Sequence, residues 1–142
     1  MKGKRRIGKY LVFISHSARD TWVAKQIAES VEAVGAASFL DEVAIEVGTE
    51  FEREILRSLR KADELVVLLT PWALERPYVW AELGAAWSKG IPIVGLLHGL
   101  TSGELQARPG VPVFLKQRNL VDLNDVEKYF RQLAGRVQKR DK

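Results

Sequence analysis

Short apolar runs alternate with helix-patterned segments along this whole chain, and that alternation limits the folds open to it more than any other feature. Tyr10-Leu-Val-Phe-Ile14 reads as a buried strand. Asp20 can cap a following helix, whose Val23, Ile27, Val31 and Val34 share one face and whose stop is Gly35. Ala37-Ser-Phe-Leu40 is a short second strand. After a loop over 41–48, Thr49 and Glu52 make a capping box for a helix burying Phe51, Ile55, Leu59 and Ala62. Glu64-Leu-Val-Val-Leu-Leu69 is the third and clearest strand, closed by Thr70-Pro71. Pro77 suits the first position of a third helix that runs to about Lys89, with Gly90 as its stop. Ile91 to Leu97 is the fourth strand, with Pro92 near its start. Residues 98–112 hold three Gly and two Pro and read mostly as loop. Asn119 to Asp122 is a short fifth strand, and Asn124 can cap a last helix burying Val126, Tyr129 or Phe130, Leu133 and Val137.

Five strands alternating with helices predict an α/β domain: a parallel sheet with helices on both faces. In a chain of 142 residues the flavodoxin-like three-layer arrangement with strand order 2-1-3-4-5 is the natural choice. The switch point then lies between the first and third strands, at the loops over 16–20 and 70–77. The domain is expected over 9–138, between basic tails at 1–8 and 139–142. A composition 46% hydrophobic and 28% charged excludes a disordered chain. Much of the +4 net charge sits at the two ends, in Lys2, Lys4, Arg5, Arg6 and Lys9 and in Arg136, Lys139, Arg140 and Lys142. Such tails fit solubility and fraying termini better than a nucleic-acid surface. With no cysteine, disulfides, thiolate metal sites and a Cys nucleophile are excluded, and two histidines are too few for a His-based metal cluster. No run is long enough to span a bilayer, and Tyr10 to Ile14 is too short for the apolar part of a signal peptide. A soluble, cytoplasmic protein without a membrane partner is expected.

The chemistry points to Glu82. It is the single carboxylate in Tyr78-Val-Trp-Ala-Glu-Leu-Gly-Ala-Ala-Trp87, where every residue from Val79 to Trp87 except Glu82 is apolar or Gly. A charge there is costly unless solvated, paired or used. It lies little more than one helical turn beyond the 70–77 loop, close to the expected crevice. Tyr78 is four residues back on the same helical face, with Ala85 and Ala86 continuing it, and this row can form a shelf for a flat ligand. Val79, Leu83 and Ala86 form the neighbouring stripe that should face the sheet. The competing reading is a water-facing Glu82, paired with Lys89. His16 and His98 fall at strand ends on the crevice side, where a structural polar contact is expected ahead of a base role. Trp22, Trp72, Trp80 and Trp87 are expected in core or interface positions rather than as ligand stackers.

The order of several short motifs adds to this. Val12-Phe-Ile-Ser-His16, Phe39-Leu-Asp41 leading to a loop with Ile45, Glu46 and Gly48, Leu68-Leu-Thr-Pro71, and Tyr78-Val-x-x-Glu82 occur in sequence. From Tyr10 to about Val137 the chain resembles a TIR (Toll/interleukin-1 receptor) domain of the bacterial, NAD-cleaving type. The resemblance implies that Glu82 is the catalytic glutamate, with Tyr78 where an aromatic, often Trp, precedes it. It implies that Asp41 and Glu46 flank the nucleotide site. His16, Ser17 and Ala18 fall where some relatives carry Arg. Ala18 cannot bind phosphate, so that task would pass to Ser17, Arg19 or backbone N–H groups at the helix start. The expected substrate-binding set is therefore His16, Ser17, Arg19, Asp41, Ile45, Glu46 and Tyr78. Val43, Ile45 and Val47 of the 41–48 loop can anchor it to its own domain; the resemblance instead implies an oligomer interface that completes the site of the next copy.

The implied reaction is cleavage of NAD⁺, as substrate rather than cofactor and without a metal, to nicotinamide plus ADP-ribose or a cyclic ADP-ribose isomer. Self-assembly would switch it on, and a separate sensor or effector protein would connect it to antiphage defence. Two rivals remain open on the sequence: a non-catalytic TIR adaptor acting by TIR–TIR association, and a nucleoside-processing enzyme such as a deoxyribosyltransferase. A response-regulator receiver is disfavoured because no acidic pair follows the first strand and no phosphoacceptor Asp ends the third. A flavodoxin is disfavoured because the 16–20 turn lacks glycine.

Overall fold

A computed structural model describes residues 8–40, 57–111, 115 and 119–141. The elements follow in the order β1 (Leu11–Ser15), α1 (Thr21–Ala33), β2 (Ala37–Leu40), helical residues 57–61 (α2), β3 (Glu64–Leu69), α3 (Pro77–Ser88), β4 (Ile93–Leu97), α4 (Ser102–Ala107), β5 (Leu120–Asp122) and α5 (Val126–Asp141). All strand pairs are parallel and the sheet order is β2-β1-β3-β4-β5, the flavodoxin-like order that the alternation predicts.

The reason for three layers is visible in β3, all six of whose residues are buried. Successive side chains of a strand point to opposite faces. Leu65, Val67 and Leu69 join Phe13 in one core with Leu59, Val79, Leu83, Ala86 and Leu105, beneath α2, α3 and α4. Val66 and Leu68 join Val12 and Ile14 in the other, with Ala24, Ile27 and Val31 of α1 and Phe130, Leu133 and Val137 of α5. The α3 stripe of Val79, Leu83 and Ala86 faces the sheet as its spacing predicts. In α1 the buried face includes Ala24 and Ala28, so the larger Val23 and Val34 stand half-buried at its margins.

Several local expectations change. Asp20 holds the N-cap position of α1 without a side-chain capping bond, because its carboxylate is turned inward to Thr70. Asn124 lies inside a short 3-10 turn, and the capping acceptor is Asp122, which takes the Asn124 N–H at 2.9 Å. The Gly- and Pro-bearing stretch after β4 contains α4, started by a complete capping box between Thr101 and Glu104 and anchored by the buried Leu105. Helix α5 continues through Lys139 and Arg140 to Asp141. Arg140, placed in the C-terminal tail by the sequence, binds Asp63 from this helix, while Lys139 and Asp141 are exposed. The Thr49–Glu52 capping box, Phe51, Ile55, the 41–48 loop and residues 1–7 lie outside the described residues.

At the N-terminal end of β3 a polar cluster ties the sheet to α5. Glu64 is 1% exposed and accepts from Tyr10 Oη at 2.6 Å, from Tyr129 Oη, and from Arg136 Nε and Nη2 at 2.9 and 3.1 Å. Beside it, Asp63 accepts from the Leu11 N–H and from Arg140. Burial raises the pKa of both phenols above the ordinary tyrosine value, and the adjacent Glu64 carboxylate raises them further. Tyr129→Phe removes a buried donor from Glu64 and is expected to cost about 1–3 kcal/mol. A denaturant midpoint unchanged from wild type would show that Tyr129 contributes only its ring. The phenols also fix an alkaline limit. Because their folded pKa values exceed the unfolded value of about 10, their contribution is complete below pH of about 10 and is lost as pH rises above it. Stability measured from neutral pH upward should start to fall there, with a shallower slope in Tyr129→Phe.

Candidate active site

The parallel order brings the C-terminal ends of β1 and β3 together beside the start of α3, and polar side chains collect there. Ser15, His16, Ser17, Asp20, Thr70 and Glu82 are all buried, between 0% and 7% exposed. Burial of so many polar groups in one place requires hydrogen bonds among them. Ser15 closes β1 one residue beyond the strand that its apolar run suggests, paired with Val67. Alternation turns its side chain to the α3 face, as for Phe13, and its Oγ donates to Glu82 Oε1 at 2.5 Å. Glu82 is 2% exposed, so the water-facing alternative for this residue is wrong. Its place in α3, one residue before the core-facing Leu83 and three after Val79, carries it under the strand ends.

A second pair lies on the opposite side of the same edge. Thr70 Oγ1 donates to Asp20 Oδ2 at 2.6 Å and accepts the Ala73 N–H at 3.1 Å. One hydroxyl thus joins the start of α1 to the 3-10 turn Ala73–Glu75 that leads into α3. The β1 end is held by Arg76, whose Nη1 donates to the His16 carbonyl at 2.7 Å. The His16 ring engages the Ser17 carbonyl through Nδ1 at 2.8 Å. That bond requires a proton on Nδ1 and leaves Nε2, in the neutral ring, as a buried acceptor with no hydrogen-bond partner among the described residues.

The other expected site residues divide clearly. Ser17 Oγ accepts the Arg19 N–H at 3.1 Å and caps the 3-10 turn Ala18–Asp20. Arg19 is exposed, with its guanidinium 5.8 Å from the Trp72 ring centroid. Tyr78 is half-buried, with Arg76 5.8 Å from its ring centroid. Asp41, Val43, Ile45, Glu46 and Val47 lie outside the described residues. His98 is exposed at the end of β4 and lines a groove of about 510 Å³ with Trp22 and Phe130, between α1 and α5. Trp22, Trp72 and Trp87 are exposed at 72%, 47% and 60%. The core expectation therefore fails for these three, while Trp80 is half-buried and donates to the Leu74 carbonyl at 2.9 Å. Ser15, Asp20 and Thr70 are the polar residues of this edge that the site reading omits. The motif Val12-Phe-Ile-Ser-His16 contains Ser15, but only the strand register discloses its partner.

Among the described residues no group of His, Asp and Glu is arranged to hold a metal ion, and no helix is long and apolar enough to cross a membrane. No curated protein sequence matches the chain. Solved structures do match by fold. The TIR domain of the Toll-related receptor TRR-2 from Hydra magnipapillata superposes with a TM-score of 0.62 at 21% identity, covering 92% of this chain and 95% of that one. The TIR domains of the activated Roq1 resistosome, which directly recognises the pathogen effector XopQ, give 0.60 at 18% identity, covering 91% and 83%. A 2-deoxyribosyltransferase from Bacillus psychrosaccharolyticus gives 0.62 at 16% identity, covering 87% and 95%. At these identities the likeness speaks for the fold alone. The family model for the TIR domain matches residues 12–134, nearly the whole chain, and by that match this protein belongs to the TIR domain family.

Proposed function

We propose that this TIR domain cleaves NAD⁺ between nicotinamide and ribose, with Glu82 as the catalytic carboxylate. The observation that carries the reading is the burial of Glu82 at the switch-point edge, fixed by Ser15. Burying a carboxylate costs several kcal/mol in effective terms, by order of magnitude. Use in chemistry is a reason for a chain to retain it.

The leaving group explains how one carboxylate can serve. Ordinary glycosidases use two, one of them to protonate an alkoxide. The nicotinamide of NAD⁺ departs as a neutral base: the C1′–N bond breaks and its electron pair returns to the pyridinium nitrogen. No proton donor is needed. Positive charge develops on the ribose, and a carboxylate in a water-poor site stabilises it more strongly than it would in bulk water. Water then forms the new C1′–O bond and loses a proton, giving ADP-ribose; capture by a nucleophile within the ADP-ribosyl group gives a cyclic isomer. Of the expected phosphate contacts, the exposed Arg19 guanidinium is the one placed to serve beside this edge, since the Arg19 and Asp20 N–H groups of the turn are bonded to Ser17.

Association of copies is part of the same proposal. The Roq1 structure is of an activated resistosome, and three exposed tryptophans here provide apolar surface for contacts between copies. Assembly would set the activity in a defence or signalling response, together with a partner that senses or executes it. The fold likeness to a 2-deoxyribosyltransferase keeps nucleosides as the rival substrate class.

Incubation of concentrated protein with NAD⁺, followed by chromatography, should show nicotinamide with ADP-ribose or a cyclic isomer. Glu82→Gln should reduce release by at least about 100-fold, with assembly by light scattering unchanged. Assembled wild-type protein that leaves NAD⁺ intact would favour the adaptor, and competition by nucleosides rather than by NAD⁺ analogues would favour the rival enzyme.

A further inference from the structure

Resting on that reading, we infer that Ser15 is a positioning residue of the site: its hydroxyl orients Glu82 and favours its ionised form. Three observations converge on it. Ser15 is 0% exposed, so its hydroxyl is not shared with bulk solvent. Its Oγ lies 2.5 Å from Glu82 Oε1, in the short range of hydrogen bonds to an ionised acceptor. It stands on the rigid part of the sheet, paired with Val67 of β3, whereas Glu82 is on a helix packed against that sheet. A donor on a strand fixes a helical side chain within a narrow range of angles, which sites built on loops do not achieve.

The electrostatic consequence follows from burial. Removing a carboxylate from water disfavours its charged form, and a donated hydrogen bond favours it. The proposed chemistry needs the anion, since a protonated Glu82 stabilises an oxocarbenium-like ribose far less. A hydroxyl donor suits this role, because it satisfies a lone pair without cancelling the charge. The neighbouring ionisable groups of the edge have their own contacts: Asp20 with Thr70 from β3, Arg76 with the His16 carbonyl and the Tyr78 ring, His16 with the Ser17 carbonyl, and Arg19 with Trp72. None of these contacts involves the Ser15 hydroxyl, so a difference between wild type and Ser15→Ala reports on the Ser15–Glu82 bond.

The test compares wild type, Ser15→Ala, Ser15→Thr and Glu82→Gln by NAD⁺ turnover across pH. Ser15→Ala should lower kcat about 10-fold at neutral pH with KM little changed, since one hydrogen bond to a charged group is lost. The acidic limb of its kcat profile should move to higher pH. Ser15→Thr keeps the hydroxyl and suits a strand, and should restore both. A Ser15→Ala profile equal to wild type in rate and limb, while Glu82→Gln is inactive, overturns the inference and leaves the catalytic reading intact. Equal loss in Ser15→Ala and Ser15→Thr also overturns it, because the hydroxyl would then not be the operative group. Full turnover by Glu82→Gln instead removes the catalytic reading. A carbon-13 NMR titration of glutamate carboxyls, assigned by difference with Glu82→Gln, reads the same bond without turnover. There Ser15→Ala should shift the Glu82 titration to higher pH, and no shift overturns the inference even if the protein cleaves nothing.

Discussion

The double-sided burial of β3 is the constraint on which the rest of this structure depends. Six consecutive buried residues need apolar cover on both faces. Helices supply it from both sides, and parallel connections keep all strand ends of one kind at one edge. That order sets the β1 and β3 ends side by side at the switch point, the place where open α/β sheets bind ligands. Polar residues could not be tolerated along β3, and they occur at its two limits. Glu64 opens the strand and Thr70 follows it, each buried and each in a hydrogen-bond cluster.

These two clusters use different partners. Around Glu64 a guanidinium and two phenols converge, and the Arg136 pair neutralises the acid. Such a cluster fastens α5 to the sheet, and charge neutralisation is what makes a buried carboxylate tolerable. At the other edge, hydroxyls do the holding: Thr70 on Asp20 and Ser15 on Glu82. A hydroxyl donor orients an acid without itself bringing a positive charge to it. The cluster at the N-terminal end of β3 therefore fastens α5 to the sheet, and the one at the C-terminal end joins β1, α1 and α3 at the candidate site.

The strand order was legible because hydrophobic period and chain punctuation report burial directly. Gly35 and Gly90 end their helices with positive φ, and Pro77 begins α3 at the position where its missing N–H costs nothing. Glu82 stood out because an acid inside an apolar helical run has few inexpensive explanations. Its partner was not legible. A serine at a strand end is a common residue, and only the register of β1 against β3 says which face it takes. Asp20 misled for a related reason: position suggested a helix cap, whereas the tertiary contact with Thr70, fifty residues away, takes its carboxylate. Helix α4 was hidden because three glycines and two prolines in its neighbourhood outweighed the Thr101–Glu104 capping pattern.

The burial of Glu82 also bears on the choice between enzyme and adaptor. An adaptor needs the shape of the domain and its exposed surfaces, and the three exposed tryptophans can serve it without any acid beneath the strand ends. An adaptor would have no chemical use for a buried glutamate beside Leu83 and Val79, and Ser15 and Glu82 together could give way to apolar side chains of similar volume. Natural proteins place such locally unfavourable choices at functional sites and offset them elsewhere in the fold. Here the two apolar cores are the elements able to offset it. The acid is held by a strand-borne hydroxyl at the switch-point edge, where open parallel sheets take their ligands, and that placement is what the enzyme proposal asks of Glu82.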